Sequence, residues 1–152
     1  MMLYFPDGRS FVTGATPYLD QHPVDYNTPR IVVKIWVGQI QIETVVDTGG
    51  VYFICDPEIL NLGDFDLGDS LGVQMLKIRG YDIMGDLYRI MITLVAEQGK
   101  NLDLEVTAFV PHFVPERRWP FPSFLGLQGC LEFLRFAVDP MANTFYFGAL
   151  AD

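Results

Sequence analysis

The sequence is poor in cysteine and histidine, with two of each in 152 residues. Cys55 and Cys130 are too few for a disulfide scaffold, so either two buried thiols or a single bridge is expected. His22 and His112 have no metal-ligand spacing relative to the cysteines, which argues against a metal site. We expect neither a metal nor any other cofactor.

Basic residues and long apolar runs are also scarce. The chain has 10 Lys and Arg against 19 Asp and Glu, which gives a formal net charge of −9. An acidic surface repels phosphate backbones and anionic lipids, so nucleic acid and membranes are poor partners, whereas neutral or mildly basic peptides would approach most easily. No apolar run reaches the ~18 residues of a membrane-spanning helix. Because the first residues also lack a signal-peptide pattern, we expect a cytoplasmic protein.

Several common catalytic motifs are missing from the sequence. It has no nucleophilic serine elbow with histidine partners, no Gly-Lys-Ser or Gly-Lys-Thr phosphate loop and no dinucleotide fingerprint. What it does have is apolar material, because 50% of its residues are hydrophobic and 14% are aromatic. That content suffices for the core of one domain. We expect residues 1–30 to be an extended lead-in and residues 31–152 to form the domain.

Short segments with strand-like patterns dominate the chain after residue 30. Residues 31–37 are mostly β-branched, Gly38-Gln39 is suited to a tight turn, and residues 39–44 alternate polar and apolar. Further strands are predicted at 75–78, 87–95, 102–110, 136–138 and 144–147. Helix signals are limited to a start at Asp56-Pro57-Glu58 and a short segment within 124–134. The sequence therefore predicts an all-β domain.

A candidate catalytic carboxylate, Asp47, follows the alternating strand. Val45 and Val46 lead the chain into the core, and the following Thr48, Gly49 and Gly50 must turn it. Glycine allows the backbone to approach a carboxylate closely, and the threonine adds a hydroxyl beside it. The alternative is an aspartate in an ordinary β-turn, with its side chain bonded to its own backbone.

Two motifs resemble those of aspartic peptidases. Residues 45–49, two apolar residues and Asp-Thr-Gly, resemble the active-site motif of that family, and Phe124-Leu125-Gly126 resembles its second signature. Residues 47–60 and 127–139 are similar to parts of small bacterial retropepsin-like proteins. The resemblance implies a small closed acid-protease β-barrel, one lobe per chain, with one short helix near the C-terminus. Gly50 departs from the Ala or Ser that this family commonly has there.

The resemblance also implies a function, that of an aspartic endopeptidase. Its catalytic residues would be Asp47, Thr48, which braces the active-site turns, and Gly49, which lets the backbone reach the carboxylates. Because the chain has one such motif, the second carboxylate must come from another copy in a C₂ homodimer. Two carboxylates that share a proton can then activate a water against a peptide bond.

Aspartic peptidases also close a β-hairpin flap over the peptide substrate. Our candidate is the segment 79–86, with Gly80 and Gly85 at its ends for mobility and Tyr81, Ile83 and Met84 as apolar contacts at its tip. A plain surface hairpin is the alternative. With Gly126 from the second signature, these five residues complete the predicted substrate site. Two other functions stay open: a retropepsin-fold dimeric binding or assembly module with little or no proteolysis, and an unrelated β-barrel binding module.

Overall fold

The computed structural model describes residues 2–23, 30–62, 66–112 and 118–151. In these ranges the chain forms short and long strands, one α-helix, α1 (Pro57–Leu62), and one turn of 3-10 helix (Leu131–Phe133). The strands are β1 (Gly14–Pro17), β2 (Val32–Val37), β3 (Ile40–Val51), β4 (Phe53–Ile54), β5 (Gly72–Ile78), β6 (Tyr81–Leu94), β7 (Gln98–Gly99), β8 (Leu102–Pro111), β9 (Ser123–Gln128), β10 (Leu134–Asp139) and β11 (Thr144–Ala149). The all-β prediction is confirmed.

Six of the strands close on themselves into a barrel. The pairing runs β2–β3–β9–β4–β8–β6, and β6 pairs again with β2, for example at Trp36 and Thr93. The pairs β3–β9 and β4–β8 are parallel, and the other neighbours in the ring are antiparallel. β5 extends the sheet beyond the ring by pairing with β6. The predicted closed barrel is confirmed, and closure leaves no free edge within the ring.

Alternate residues of the barrel strands fill its interior. On β2, Val33, Ile35 and Val37 are buried, whereas Lys34 and Trp36 are exposed. This period of two arises because successive side chains of a strand point to opposite faces. Buried residues from the other barrel strands pack against them, namely Phe53, Ile90, Ile92, Leu94, Val106, Ala108 and Leu125.

Two local predictions are confirmed in detail. β2 and β3 are joined by the turn Gly38-Gln39, where Gly38 has a φ of 59° that glycine adopts without steric cost. Helix α1 begins at Pro57, and the Oδ1 atom of Asp56 accepts the backbone N–H of Glu58 at 3.0 Å. Asp56 therefore caps the helix, as its place before proline predicts.

The N-terminal and C-terminal parts of the chain meet in a second, four-stranded sheet. Its order is β10–β11–β1–β7, and β1 pairs antiparallel with β11 over residues 14–17. The final strand pair expected from the sequence is confirmed, because β10 and β11 form an antiparallel hairpin. The lead-in thus supplies a strand to the sheet of the C-terminus. The domain boundary at residue 30 stays a prediction.

The structure corrects two local expectations. The gap between the strands expected at 75–78 and 87–95 shrinks to the turn Arg79-Gly80, because β6 begins at Tyr81, which already pairs with Ile78. Near the C-terminus, residues 124–128 form a strand, and the helical part is reduced to the 3-10 turn. A strand forms here because these residues pair with β3 on one side and β4 on the other. This pairing outweighs the local preference for a helix.

Both cysteines are free thiols in the core. Cys55 and Cys130 are fully buried, which resolves the alternatives of two thiols or one bridge in favour of thiols. Burial raises the pKa of the Cys130 thiol to about 12, and burial together with the nearby Asp56 raises the pKa of Cys55 further. Separately, none of the helical segments in the described ranges has the length and apolar character to span a bilayer.

We expect both thiols to be inert in the folded protein. The thiolate is the reactive species, and burial suppresses it at both positions. Native protein treated with iodoacetamide at pH 8 should stay unlabelled by intact-mass spectrometry, whereas protein in denaturant should gain two labels. Rapid labelling of either cysteine in native protein would contradict the burial of that residue.

Candidate active site

Asp47 lies where β3 leaves regular pairing with β9. In this parallel pair Asp47 is opposite Gly126, and the next paired residues are Val51 and Gln128. β3 therefore carries two extra residues here, which release the segment after Asp47 from the ladder. The backbone N–H of Gly49 donates to the Oδ1 atom of Asp47 at 3.1 Å. Asp47 is half-buried, and its carboxylate is held by the turn predicted from the sequence.

Gly126 allows the two motifs to come together. A Cβ atom added there would lie 2.6 Å from the Val51 carbonyl carbon, 2.7 Å from the Tyr52 oxygen and 2.8 Å from the Gly50 carbonyl carbon. These neighbours are backbone atoms that cannot move aside without shifting a strand. The backbone N–H of Gly126 donates to the backbone carbonyl oxygen of Tyr52 at 2.8 Å. Gly126 therefore has a close-approach role. Because it has no side chain, the backbone that follows the Asp47 turn can pack directly against β9.

The other residues of the motif are on the surface beside Asp47. Thr48 and Gly49 are exposed, and within the described residues the Thr48 hydroxyl has no hydrogen-bond partner. A Cβ atom added at Gly50 would lie 3.0 Å from the Oδ2 atom of Asp47 and 3.3 Å from its Cγ atom. Glycine at this position therefore gives the carboxylate room that Ala or Ser would reduce.

Asp47 opens onto a cleft of about 270 Å³. One wall comes from the Asp47 turn, and the opposite wall comes from β5 and the turn after it. The lining residues are Asp47, Gly49, Gly50, Val51, Ile54, Leu76, Lys77, Ile78, Arg79 and Phe124. Most of this lining is apolar or glycine, and Asp47 is the one carboxylate among these residues. The cleft thus places a single acid beside apolar surface.

The second wall belongs to the hairpin that β5 forms with the first half of β6. Its tip is the two-residue turn Arg79-Gly80, with φ values of 52° and 86°. Two positive φ values in a two-residue loop match the twist of the flanking strands. In the middle of the hairpin, the Tyr52 hydroxyl donates to the Oε1 atom of Gln74 at 3.0 Å. This bond joins β5 to the segment that follows the Asp47 turn.

The predicted flap residues are distributed over both faces of this hairpin. Tyr81 and Ile83 alternate onto the same face, and Ile83 packs in the apolar cluster of Trp119 and Phe124. Met84 is exposed and lies on the opposite face, and whether it meets a substrate stays a prediction. Gly85, expected to give mobility, is buried in β6.

Gly85 has a packing role. A Cβ atom there would lie 2.5 Å from the Cζ atom of Phe109. The ring therefore requires glycine at this position. This non-local requirement, and not flexibility, accounts for Gly85, so the reason given for it from the sequence is corrected.

The sequence did not predict the contacts between the hairpin tip and the aromatic side chains of Phe121 and Phe124. The guanidinium of Arg79 lies over the rings of Phe124, 5.4 Å from the ring centroid, and Phe121, 5.9 Å away. The Tyr81 and Phe121 rings are 6.0 Å apart, and Trp119 packs edge-on to Phe121 at 5.2 Å. The aromatic residues in the Pro-rich segment before Gly126 were the available signal for this contact.

A hydrogen-bonded pair, Asp86 and His112, lies at the base of the hairpin. The Nε2 atom of His112 is 2.7 Å from the Oδ2 atom of Asp86, and Ser70 donates to Oδ1 at 3.0 Å. The hydrogen bond from His112 is the main cause that holds the pKa of Asp86 below its ordinary value, with a smaller contribution from Ser70. The pair ties β6 to the residue that follows β8.

A larger cavity of about 560 Å³ lies apart from Asp47 and includes Asp56, His22 and Trp119. Burial raises the pKa of Asp56, and a carboxyl with a raised pKa in a cavity is a candidate functional group. Its cap of helix α1 and its N–H bond to Ser123 at 3.1 Å give it a structural role. Among the described residues no three His, Cys, Asp or Glu side chains group as metal ligands.

Comparison with known proteins supports the fold. No protein-family model matches the chain, and a search of curated proteins finds no match. The crystal structure of a retropepsin-like aspartic protease from Rickettsia conorii superposes with a TM-score of 0.54. The match covers 88% of this chain and 98% of that chain at 16% sequence identity. At this identity the likeness shows that the chain resembles a retropepsin-like fold.

Gly126→Ala should destabilise the protein strongly. The added methyl group would meet backbone of the Asp47 turn, so we expect a loss of about 3 kcal/mol in the free energy of unfolding, the upper end for overpacking. Urea denaturation measures it. The matched control is Leu127→Ala, whose exposed side chain should contribute less than about 1 kcal/mol. Equal stability of the two variants would refute the close-approach role of Gly126.

The Asp86–His112 pair should make stability depend on pH. Because the folded pKa of Asp86 is lowered, its contribution is complete above the ordinary carboxyl pKa and is lost as the pH falls through the folded value. The difference in unfolding free energy between wild type and Asp86→Asn should therefore shrink between about pH 5 and pH 2.

Asp82→Asn, on the same strand, is the control for this pH series. The Lys77 Nζ atom lies 3.5 Å from the Asp82 Oδ1 atom and both side chains are exposed, so this substitution should alter the pH profile less. A constant difference between wild type and Asp86→Asn across the pH range would contradict a stabilising contact between Asp86 and His112.

Proposed function

We propose that this chain is an aspartic endopeptidase that acts as a twofold homodimer, with Asp47 from each subunit forming the catalytic pair. The observation that carries the proposal is the position of Asp47. Its carboxylate is fixed by the Gly49 N–H, supported by Gly126, and opens onto a cleft of about 270 Å³. The likeness to a retropepsin-like fold supports the same chemistry. Residence in the cytoplasm belongs to this proposal as an expectation from the sequence.

The need for a second copy follows from the chemistry of one acid. A single carboxylate cannot at once remove a proton from water and donate one to the substrate. Asp47 is the one carboxylate in the lining of its cleft, so a partner must supply another. Thr48 and Gly49 are exposed beside Asp47 and offer surface for such a contact. A closed C₂ arrangement would bring the same residues of both chains together.

The proposed reaction is direct hydrolysis by an activated water. The ionised Asp47 of one subunit takes a proton from the water, whose oxygen attacks the scissile carbonyl carbon. The protonated Asp47 of the other subunit hydrogen-bonds the carbonyl oxygen, and a proton then passes to the leaving amine as the C–N bond breaks. The exposed Met84 side chain of the hairpin would contact the peptide as the hairpin closes.

A dimeric binding or assembly module with little or no proteolysis is the second candidate, and Gly50 favours it. With glycine here, no side chain presses on the Oδ2 side of the Asp47 carboxylate. A carboxylate that is held on its Oδ1 side alone is a weaker catalyst than one held on both sides, because catalytic groups must be kept in the reactive geometry.

Substitution of Asp47 tests the proposal. Wild type should cleave peptides from a diverse mixture between about pH 4 and 7, where the pair can share a proton. Asp47→Asn and Asp47→Ala should each lose at least about 100-fold in rate, the usual scale of acid–base catalysis. Mass spectrometry of the products measures the cleavage, and sedimentation should show wild type as a dimer.

Asp139→Asn serves as the control, because Asp139 caps a turn at the far end of β10 through bonds to the backbone of residues 141 and 142. It should retain cleavage. Wild-type protein that dimerises without cutting any peptide would favour the binding module. A protein that stays monomeric and is inactive would refute both candidates.

A further inference from the structure

A cavity of about 350 Å³ lies on one face of the four-stranded sheet, and we call it the sheet cavity. In the strand register, Ala15 of β1 lies between Tyr146 of β11 and Gln98 of β7. The short side chain of Ala15 leaves a depression between these longer neighbours. The volume is within the range of ligand-binding cavities. The lining shares no residue with the Asp47 cleft, so the two cavities are separate.

Tyr146 is the residue of the sheet cavity that indicates a ligand. It is only 9% exposed, and it packs with Val12 and Ala15 in a small apolar cluster. Within the described residues its hydroxyl has no hydrogen-bond partner, whereas every fully buried side-chain nitrogen or oxygen there has one. The small exposed part of Tyr146 therefore includes the hydroxyl, which we place in the cavity that the residue lines. Because a buried tyrosine usually bonds its hydroxyl, this group is available to a ligand.

The lining of the sheet cavity is acidic. It has two carboxylates, Glu97 and Asp139, and no Lys, Arg or His. The Oδ1 atom of Asp139 accepts the backbone N–H groups of Met141 and Ala142, so this carboxylate belongs to its own turn. The Glu97 carboxylate, in contrast, makes no hydrogen bond or ion pair with any described residue. An unpaired acid and an unpartnered hydroxyl in one cavity are suited to a cation that carries N–H donors.

The sheet holds the polar groups of the cavity in place. The backbone N–H of Glu97 donates to the backbone oxygen of Ala15 at 2.9 Å, which fixes the start of β7 against β1. The Thr144 hydroxyl donates its hydrogen to the backbone oxygen of Ala142 at 3.1 Å, so its oxygen can only accept a further bond. A site that is formed before the ligand arrives loses little entropy on binding.

We propose that the sheet cavity binds an alkylammonium or guanidinium group, with Glu97 as the countercharge and the Tyr146 hydroxyl as a hydrogen-bond acceptor. Such a group belongs to a Lys or Arg side chain of a peptide or to a free amine. The alkyl part would lie over Ala15 at the floor of the cavity. The formal net charge of −9 favours the approach of a cation. This site does not depend on the proposed function.

A bare metal ion fits the sheet cavity less well than an organic cation. Among the described residues no three His, Cys, Asp or Glu side chains group as metal ligands. A volume of about 350 Å³ also leaves room for an alkyl chain beside the charged group. Calcium is therefore included in the test as the competing ligand.

Titration of the wild-type protein with small cations, followed by the chemical shifts of its backbone amides, tests the proposal. Nα-acetyl-lysinamide and Nα-acetyl-argininamide are compared with their neutral counterparts, which carry norleucine and citrulline. The amides of Glu97 and Thr144 should shift, and each cation should bind at least about tenfold more tightly than its neutral counterpart. Butylamine distinguishes the sources, because equal affinity indicates a free amine and weaker affinity indicates a peptide side chain.

Two variants that remove single polar groups locate the binding. Tyr146→Phe removes the hydroxyl and keeps the ring in its cluster, and Glu97→Gln removes a charge from an exposed side chain. Each should weaken the binding of the cations about tenfold. The matched controls are Tyr88→Phe and Glu58→Gln, since neither residue lines the sheet cavity. Both controls should bind with wild-type affinity.

Four results would overturn the proposal. Equal affinity for charged and neutral probes would show that charge is not recognised. Affinity unchanged in both Tyr146→Phe and Glu97→Gln would assign the binding to the acidic surface in general. Shifts of the same amides with calcium chloride but not with the amines would indicate a metal site. Absence of any shift at these amides would show that the cavity does not bind such cations.

Discussion

The parallel pairing of β3 with β9 is the constraint on which the candidate site depends. It places Asp47 opposite Gly126, and it does so in a closed barrel whose other strands hold both in register. Because Gly126 has no side chain, the backbone of residues 50–52 can cross directly above it. The two extra residues of β3 then leave the ladder and form the turn that holds the carboxylate. Strand pairing, a single glycine and one hydrogen bond therefore account for the geometry of the acid.

The hairpin beside the cleft is attached at three levels by different kinds of contact. At its tip Arg79 packs on aromatic rings, in its middle Gln74 accepts the Tyr52 hydroxyl, and at its base Asp86 pairs with His112. The last two are hydrogen bonds of partly exposed groups, which typically contribute modestly to stability.

The sequence predicted those features that depend on residues close together in the chain. The Gly38 turn needs only a positive φ, and the Asp56 cap needs only an aspartate before proline at a helix start. The two motifs that contain Asp47 and Gly126 were recognised through the family resemblance, whereas the pairing of these residues across parallel strands was not predicted. Gly85 was misjudged because its reason is the ring of Phe109 on another strand. The packing of Arg79 on Phe121 was not predicted for the same reason, because the two residues are distant in sequence.

A mixing experiment tests the shared acid pair most directly. Wild type is combined with increasing amounts of Asp47→Asn protein, subunits are allowed to exchange, and cleavage is measured per wild-type chain. If each active site needs Asp47 from both chains, mixed dimers are inactive and this specific activity falls in proportion to the wild-type fraction. A specific activity that stays constant at every ratio would show that one chain acts alone and would contradict the account.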